Sequence, residues 1–317
     1  MSEKSKSFSP LLVKKIVKLV KETSPDIIQC NGSDTLKYMV TASFFLPKTP
    51  IVYRNISMIS NWLRGVPHKF LYQYFFKRID HVSSVGKQAV EDFIKTCKYP
   101  REKTSVIRRG IPMREINREV SKQKLLSSLD LSEGDKIIMH IGNFSPEKNH
   151  IFLIDVFTKI ASTHQNIKLV CVGDGILFEE IKEEISRRGL NNTIFLLGFR
   201  KDILEMLSAA DCFVLPSLVE GVPGVVLEAA VQKVPTVATN VGGVKEVLKN
   251  GVTGYIINDF NKDFFTEKLI TLANHSQLRK ELGQNAYDLA IEEYNPEKNA
   301  RDFETLYLRL IRQKSVT

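Results

Sequence analysis

Apolar positions along the chain follow two alternating spacings. Leu12, Ile16, Leu19 and Val20 recur at helical spacing, and Ser24-Pro25 ends that run. The stretch Asp26-Ile27-Ile28-Gln29-Cys30 then predicts a strand; its consecutive isoleucines suit a strand covered on both faces. A helix near 34–45, a strand at Ile51-Val52-Tyr53 and a helix through about 61–78 follow. His81-Val82-Ser83-Ser84-Val85 reads as a strand, Lys87–Thr96 as a helix and Ser105-Val106-Ile107 as a strand. Strands that alternate with helices imply a parallel sheet, hence an α/β fold.

Between about 110 and 122 the apolar rhythm fades into Gly110-Ile111-Pro112 and alternating charges, which marks a domain boundary. The rhythm then resumes more clearly. Six strand-like runs lie at 137–142 (IIMHIG), 168–173 (KLVCVG), 194–198 (IFLLG), 212–216 (CFVLP), 236–239 (TVAT) and 254–257 (GYII). With helices between them, they describe a complete doubly wound domain. The tail from about 263 to 313 reads as helical. The division is therefore 1–120, 121–296 and a final segment 297–317. No fixed-period repeat or low-complexity tract interrupts it.

Composition narrows the classes. At 317 residues and 43% hydrophobic, the chain can bury ordinary cores. It contains no apolar run long enough to span a bilayer, and its start, MSEKSKSFSP, has no apolar signal-peptide centre, so the expected location is cytoplasmic. Cys30, Cys97, Cys171 and Cys212 form no CxxC pair and no metal-ligand spacing with histidine. They read as buried, reduced thiols, and no metal site is expected. Charge is lopsided: residues 1–125 hold 24 Lys and Arg against 10 Asp and Glu, a net of +14, whereas 126–317 hold 21 against 26, a net of −5. The basic half suits an anionic membrane, a phosphorylated substrate or nucleic acid.

Candidate chemistry gathers after the strands of the second half. Gly142-Asn143-Phe144-Ser145-Pro146-Glu147-Lys148-Asn149-His150 forms a tight strand-to-helix loop, which exposes N–H groups and a positive helix end to a phosphate; Lys148 adds a mobile cation. Gly173-Asp174-Gly175 and Gly198-Phe199-Arg200 end the next two strands. Such glycines commonly just make turns, yet the carboxyl ends of strands are where open α/β sheets bind ligands. Glu220-Gly221-Val222-Pro223-Gly224-Val225-Val226-Leu227-Glu228 places one carboxylate in a loop and another, eight residues on, in the following helix. A helical carboxylate can accept two hydrogen bonds from a ribose diol. Either glutamate alone reads equally as a solvated surface residue; the ordered set argues for a site.

These segments carry a resemblance. EGVPGVVLEAAVQKVPTVATNVGGVKEVLKNGVTGYII resembles the glutamate-x7-glutamate region of the family-four retaining glycosyltransferases, also called group 1. HIGNFSPEKNH resembles their phosphate loop, and LVCVGDG and FLLGFRKDILEMLSAADCFVLPS resemble the strands between. The match is weaker over 24–112, through SPDIIQCNGSD, TPIVYRN and RIDHVSSVGKQAVEDF. The resemblance implies two Rossmann-like domains facing across a cleft (the GT-B architecture), with 297–317 crossing back to the first. It implies a donor site of Gly142, Asn143, Lys148, Gly173, Phe199, Arg200, Glu220, Gly221, Val222, Gly224, Val225 and Glu228. Lys148 would face the diphosphate, Glu220 the donor sugar and Glu228 the ribose; Glu220 and Lys148 are the catalytic candidates. Asn143 stands where the family usually has a cation, so the diphosphate is expected to be held less tightly or partly by Arg200. No Asp-x-Asp occurs, which fits metal-independent transfer without a cofactor.

The implied reaction moves a sugar, with retention, from a nucleoside-diphosphate sugar to a glycan or lipid-linked acceptor, in surface polysaccharide synthesis. The alternative is a non-catalytic nucleotide-sugar-binding subunit or a truncated remnant; an epimerase on the same fold fits the glutamate spacing poorly. The first half lacks the family's opening strand, Gly-Gly loop and two further strands, so a sheet of about four strands is expected, with 26–30 at an open edge under the 10–23 helix. Arg54-Asn55 stands where the family often has histidine, and His68 and His81 read as structural. Trp62, Leu63, Phe70, Leu71, Tyr74 and Phe75, interleaved with Arg64, Lys69, Lys77 and Arg78, read either as an amphipathic core helix or as a membrane-surface patch. No nucleic-acid module is present, so nucleic acid is not an expected partner.

Overall fold

The computed structural model describes residues 8–315 except Trp62 and Arg64. Contacts divide the chain into two compact units, one reaching Arg109 and resuming at Glu297, the other running from Gly110 to Pro296.

In the first unit, α1 (Pro10–Thr23) is followed by β1 (Ile28–Asn31), α2 (Ser33–Ser43), β2 (Ile51–Asn55), α3 (Val66–Phe76), β3 (His81–Ser84), α4 (Lys87–Cys97) and β4 (Thr104–Val106). The strands form a four-stranded parallel sheet in the order β1-β2-β3-β4. Ser9 caps α1 through its side chain, and Ser24 closes it in the left-handed region, its N–H donating to the carbonyl of Val20. The consecutive isoleucines behave as their pattern implies: Ile28 packs against the cluster that contains Val13 of α1, and Ile27 against the opposite one. The predicted helix 61–78 begins later, because Gly65 adopts φ 84° and a short 3-10 turn occupies Ile59–Asn61. Trp62 and Arg64 lie outside the described residues.

The second unit contains α5 (Arg118–Ser128), β5 (Lys136–Ile141), α6 (His150–Thr163), β6 (Ile167–Val172), α7 (Phe178–Arg187), β7 (Ile194–Leu196), α8 (Ile203–Ala209), β8 (Cys212–Leu215), α9 (Gly224–Val231), β9 (Thr236–Thr239), α10 (Val244–Val247), β10 (Gly254–Ile257), α11 (Lys262–Asn274) and α12 (Ser276–Tyr294). Its six strands are parallel, in the order β10-β9-β8-β5-β6-β7. Their near-continuous apolar runs are buried because helices cover both faces, giving one core cluster on each side of the sheet.

Two expectations about 110–122 are corrected. Residues 110–120 belong to the second unit, not the first: the Ile111 N–H donates to the Tyr294 carbonyl at 2.9 Å, and Arg118 reaches the Ser208 carbonyl at 3.1 Å. The segment is also no simple linker, since Asn117 caps α5 by accepting from the Val120 N–H. Only Ser121, Leu125 and Leu126 of α5 are buried, which is why its apolar pattern was too sparse to see.

The final helix, α13 (Pro296–Ser315), packs in the first unit from Glu297 onward. Leu306 and Leu310 bury against Val52 and Ile107. The Arg54 guanidinium lies 5.0 Å from the Phe303 ring and donates to the carbonyls of Ile107 and Arg108. Burial without a carboxylate pushes this arginine down to about 10. Tyr307 donates to the Gln29 side chain at 2.5 Å. Among the described residues, no helix is long and apolar enough to cross a membrane, and all four cysteines are free, buried thiols.

Leu306→Ala should cost the first unit about 2–5 kcal/mol, since a buried Leu leaves a cavity that rigid neighbours fill poorly. Urea unfolding measures this; an unchanged midpoint would show that α13 does not stabilise the unit.

Candidate functional site

All six strands of the second unit point the same way, so the loops that follow them open at one edge. β5 pairs with β8 on one side and β6 on the other. The loops after β5 and β8, 72 residues apart at their key positions, are therefore neighbours. Leu218 N–H donates to the Glu147 carbonyl at 2.8 Å, and the Asn149 side chain donates to the Pro216 carbonyl at 3.3 Å.

This stitching brings Lys148 and Glu220 together. The Lys148 Nζ lies 2.6 Å from Glu220 Oε1, with the two side chains only 21% and 10% exposed. The Ser217 hydroxyl, fully buried, donates to the same oxygen at 2.6 Å. Thr239, at the end of β9, holds Ser217 in turn, its hydroxyl donating to the Ser217 carbonyl at 2.6 Å. A carboxylate so placed is both charge-compensated and fixed in direction. Both donors fall on Oε1, so Oε2 accepts none among the described residues.

Two glycines make the loops fit. At Gly173 (φ 140°) an added Cβ would sit 1.9 Å from the Gly142 carbonyl oxygen, and at Gly242 (φ 48°) it would sit 1.8 Å from the Glu220 carbonyl oxygen. Any side chain there would push the rim apart. Next to it, Gly243 N–H donates to the Gly221 carbonyl at 2.7 Å.

The other expected residues are distributed as follows. Gly142 directly follows β5, its N–H donating to the Val172 carbonyl, and Asn143 is exposed in the same loop. Val222 and Val225 are half-buried against the core, and Gly224 opens α9. Glu228 lies half-buried on α9. Phe199 is 71% exposed after β7. The Arg200 guanidinium is paired with Asp202 through bonds of 2.9 and 2.6 Å.

Sequence reasoning passed over Ser217, Thr239, Gly242-Gly243 and His140, and it took Asn149 and His150 only as the end of the phosphate loop. His140 is wholly buried on β5, with Nδ1 donating to the Val214 carbonyl at 3.0 Å. His150 opens α6, stacked on Phe144 at 4.1 Å between centroids and edge-on to His140 at 4.8 Å. His140 Nε2 and both ring nitrogens of His150 find no partner among the described residues. Burial, with Lys148 nearby, pushes His140 down to about 4 and His150 to about 3, so both are neutral. A polar residue inside the apolar run IIMHIG was the available signal for His140.

Two parallel α/β units, one carrying a cation and a carboxylate at the carboxyl edge of its sheet, define the class. The family model described as glycosyl transferases group 1 matches residues 121–289, more than half of the chain, and the one described as glycosyltransferase family 4 matches residues 1–115. The chain belongs to the group 1 glycosyl transferases. It is 31% identical over 189 residues to the N-acetyl-alpha-D-glucosaminyl L-malate synthase of Bacillus anthracis, covering 60% of this chain and 49% of that protein. The chain thus spans about half the length of that relative. It is 26% identical over 310 residues to the Escherichia coli UDP-Gal:alpha-D-GlcNAc-diphosphoundecaprenol alpha-1,3-galactosyltransferase, covering 94% and 79%. The crystal structure of Anabaena HepE in complex with UDP superposes with a TM-score of 0.82 at 24% identity, over 93% of this chain and 81% of that one, and this likeness shows the GT-B type of fold.

The two neutral histidines make stability pH-dependent. An unfolded imidazole titrates near 6.5; in the fold the values are about 4 and about 3. Between these limits the unfolded chain binds more protons, so stability should fall as pH drops from about 6.5 towards 4 and hold steady just above 6.5. Urea midpoints across pH 4–7 measure it, and His150→Phe should flatten the slope. An identical slope in the variant would remove His150 from the account.

Proposed function

We propose that the chain is a retaining glycosyltransferase that moves a sugar from a nucleoside-diphosphate sugar to a glycan or lipid-linked acceptor in surface polysaccharide synthesis. The observation that carries this reading is the Lys148–Glu220 pair, fixed by Ser217 at the edge where strands β5 and β8 end. The family and the relatives support it. One relative is named for a UDP-galactose donor and a diphosphoundecaprenol acceptor, and a structural neighbour is described in complex with UDP.

In this reading the diphosphate lies over the loop 142–148, against the first turn of α6. Lys148 neutralises the charge that develops on the leaving phosphate, without a metal ion or other cofactor. The bond from the anomeric carbon to phosphate oxygen breaks as the bond to the acceptor oxygen forms on the same face. The acceptor's proton passes to the leaving phosphate. Glu220 orients the donor sugar through Oε2, and Lys148 keeps this carboxylate from repelling the diphosphate. Glu228 takes the ribose diol. Gly173, Gly221, Val222, Gly224 and Val225 line the donor with backbone, and Gly142, Asn143, Phe199 and Arg200 complete its rim.

The acceptor's lipid carrier would bring the basic first unit to the inner face of an anionic membrane as a peripheral protein. Exposed Phe44, Phe45, Phe70, Leu71 and Tyr74 support this part of the reading. Tyr72 and Phe76 of the same helix are buried, so α3 contributes to the core and to the surface at once.

Calorimetry with UDP and GDP tests donor binding. Glu228→Ala should weaken it by roughly 1.5–3 kcal/mol, the worth of hydrogen bonds to a charged group; unchanged affinity would sink the ribose assignment. Transfer from a radiolabelled nucleotide sugar should proceed at its full rate in EDTA, and a rate that returns only with Mg²⁺ or Mn²⁺ would contradict the role given to Lys148. Co-sedimentation with phosphatidylglycerol vesicles should fall as salt is raised through the Debye-screening range. Equal binding to neutral vesicles would count against the membrane reading.

A further inference from the structure

A cavity of about 990 Å³ opens in the second unit among Glu115, Arg118, Asp211, Lys233, Arg279 and Lys280, with Tyr287 in its wall. It belongs to the other edge of the sheet. Asp211 directly precedes β8 and Pro235 directly precedes β9, so the cavity lies where strands begin, whereas the proposed donor loops lie where they end.

Its charges do not balance. Asp211, 2% exposed, accepts from the Ile137 N–H at 2.9 Å and meets three cations: Lys122 at 2.9 Å, Arg118 at 3.3 Å and Arg279 at 3.5 Å. Lys233 and Lys280 line the same cavity, and neither meets a carboxylate among the described residues. Four cations and two carboxylates therefore face the space, a surplus of two positive charges. Lys233 and Lys280 are both exposed, and a concave surface with a net positive charge draws a counter-ion.

Lys233 ends α9 in the left-handed conformation usual just past a helix terminus, at φ 57°, with its N–H donating to the Ala230 carbonyl, and its ammonium rests 4.9 Å from the Tyr287 ring centre. Helix α12 can approach its carbonyl only because residue 283 is glycine: a Cβ there would lie 2.0 Å from the Lys233 oxygen.

We infer that this cavity is a second anion site, which takes the phosphate or pyrophosphate group of a small molecule or of a lipid headgroup. A dianionic phosphate matches the surplus charge. Its several oxygens suit Lys233 and Lys280 together with Ser276 and Gln284, which also line the space. The site is independent of the function proposed above.

Calorimetric titration with sodium pyrophosphate tests it, on the full chain and on two variants. In Lys233→Gly/Lys280→Ala, affinity should drop roughly tenfold or more for each lysine lost, as for hydrogen bonds to a charged group. Lys233→Gly alone should lose affinity while keeping its melting temperature, because glycine suits the left-handed conformation; a purely structural lysine would not separate the two readouts. Lys148→Ala, at the other edge, should retain this binding. A second arm uses vesicles. If soluble pyrophosphate fails to bind but retention on phosphatidylglycerol vesicles falls in the double variant, the source is a lipid headgroup. The inference is overturned if neither probe distinguishes the double variant from the parent, or if Lys148→Ala alone abolishes pyrophosphate binding.

Discussion

Strand β5 sits between β6 and β8, with Ile138 beside Cys212 and Met139 beside Phe213. In the strand order β10-β9-β8-β5-β6-β7 this is the point where the chain reverses its direction of growth across the sheet. Crossover connections leave β5 and β8 towards opposite faces at such a point, and the carboxyl edge there is where open α/β sheets bind ligands. Lys148 comes from one of these loops and Glu220 from the other. Their meeting therefore depends on a strand pairing rather than on anything local to either residue. The glycines at 173 and 242 serve the same geometry, since each admits a carbonyl of the rim where a Cβ would collide.

The pair itself settles a conflict of charge. A half-buried carboxylate without a partner is costly. Lys148 supplies the partner at one oxygen of Glu220, and the buried hydroxyl of Ser217 fixes the direction of the group. Beneath them the imidazoles of His140 and His150 remain neutral. Lys148 is thus the positive charge that this loop brings to Glu220, while Arg200 is already held by Asp202.

The first unit depends on a different contact. Its sheet is covered on one face by α1 and its companions and on the other by α13, which arrives from the far end of the chain. Arg54 illustrates the consequence. From the linear pattern it stood only as a residue in place of an expected histidine. Folded, it is a buried guanidinium that binds two carbonyls and stacks on Phe303 of that returning helix.

Strand runs such as IIMHIG and CFVLP were legible because a parallel sheet covered on both faces demands continuous apolar residues. The order of the motifs was legible too, since glycines and a lysine after one strand, and two glutamates eight apart after another, survive as linear text. Helix α5 was not: it buries only three side chains and owes its start to the Asn117 cap. Nor could the chain's text show that Lys148 pairs with Glu220 and Arg200 with Asp202, because partners depend on which loops lie side by side. Ser217 and Thr239 are small hydroxyl residues that gain meaning only when β8 and β9 lie side by side. Local chemistry and periodicity are written along the chain and determined the class of fold and the set of candidate groups. Which of those groups meet was decided by strand order, because a contact across 72 residues exists only once the sheet has closed the distance.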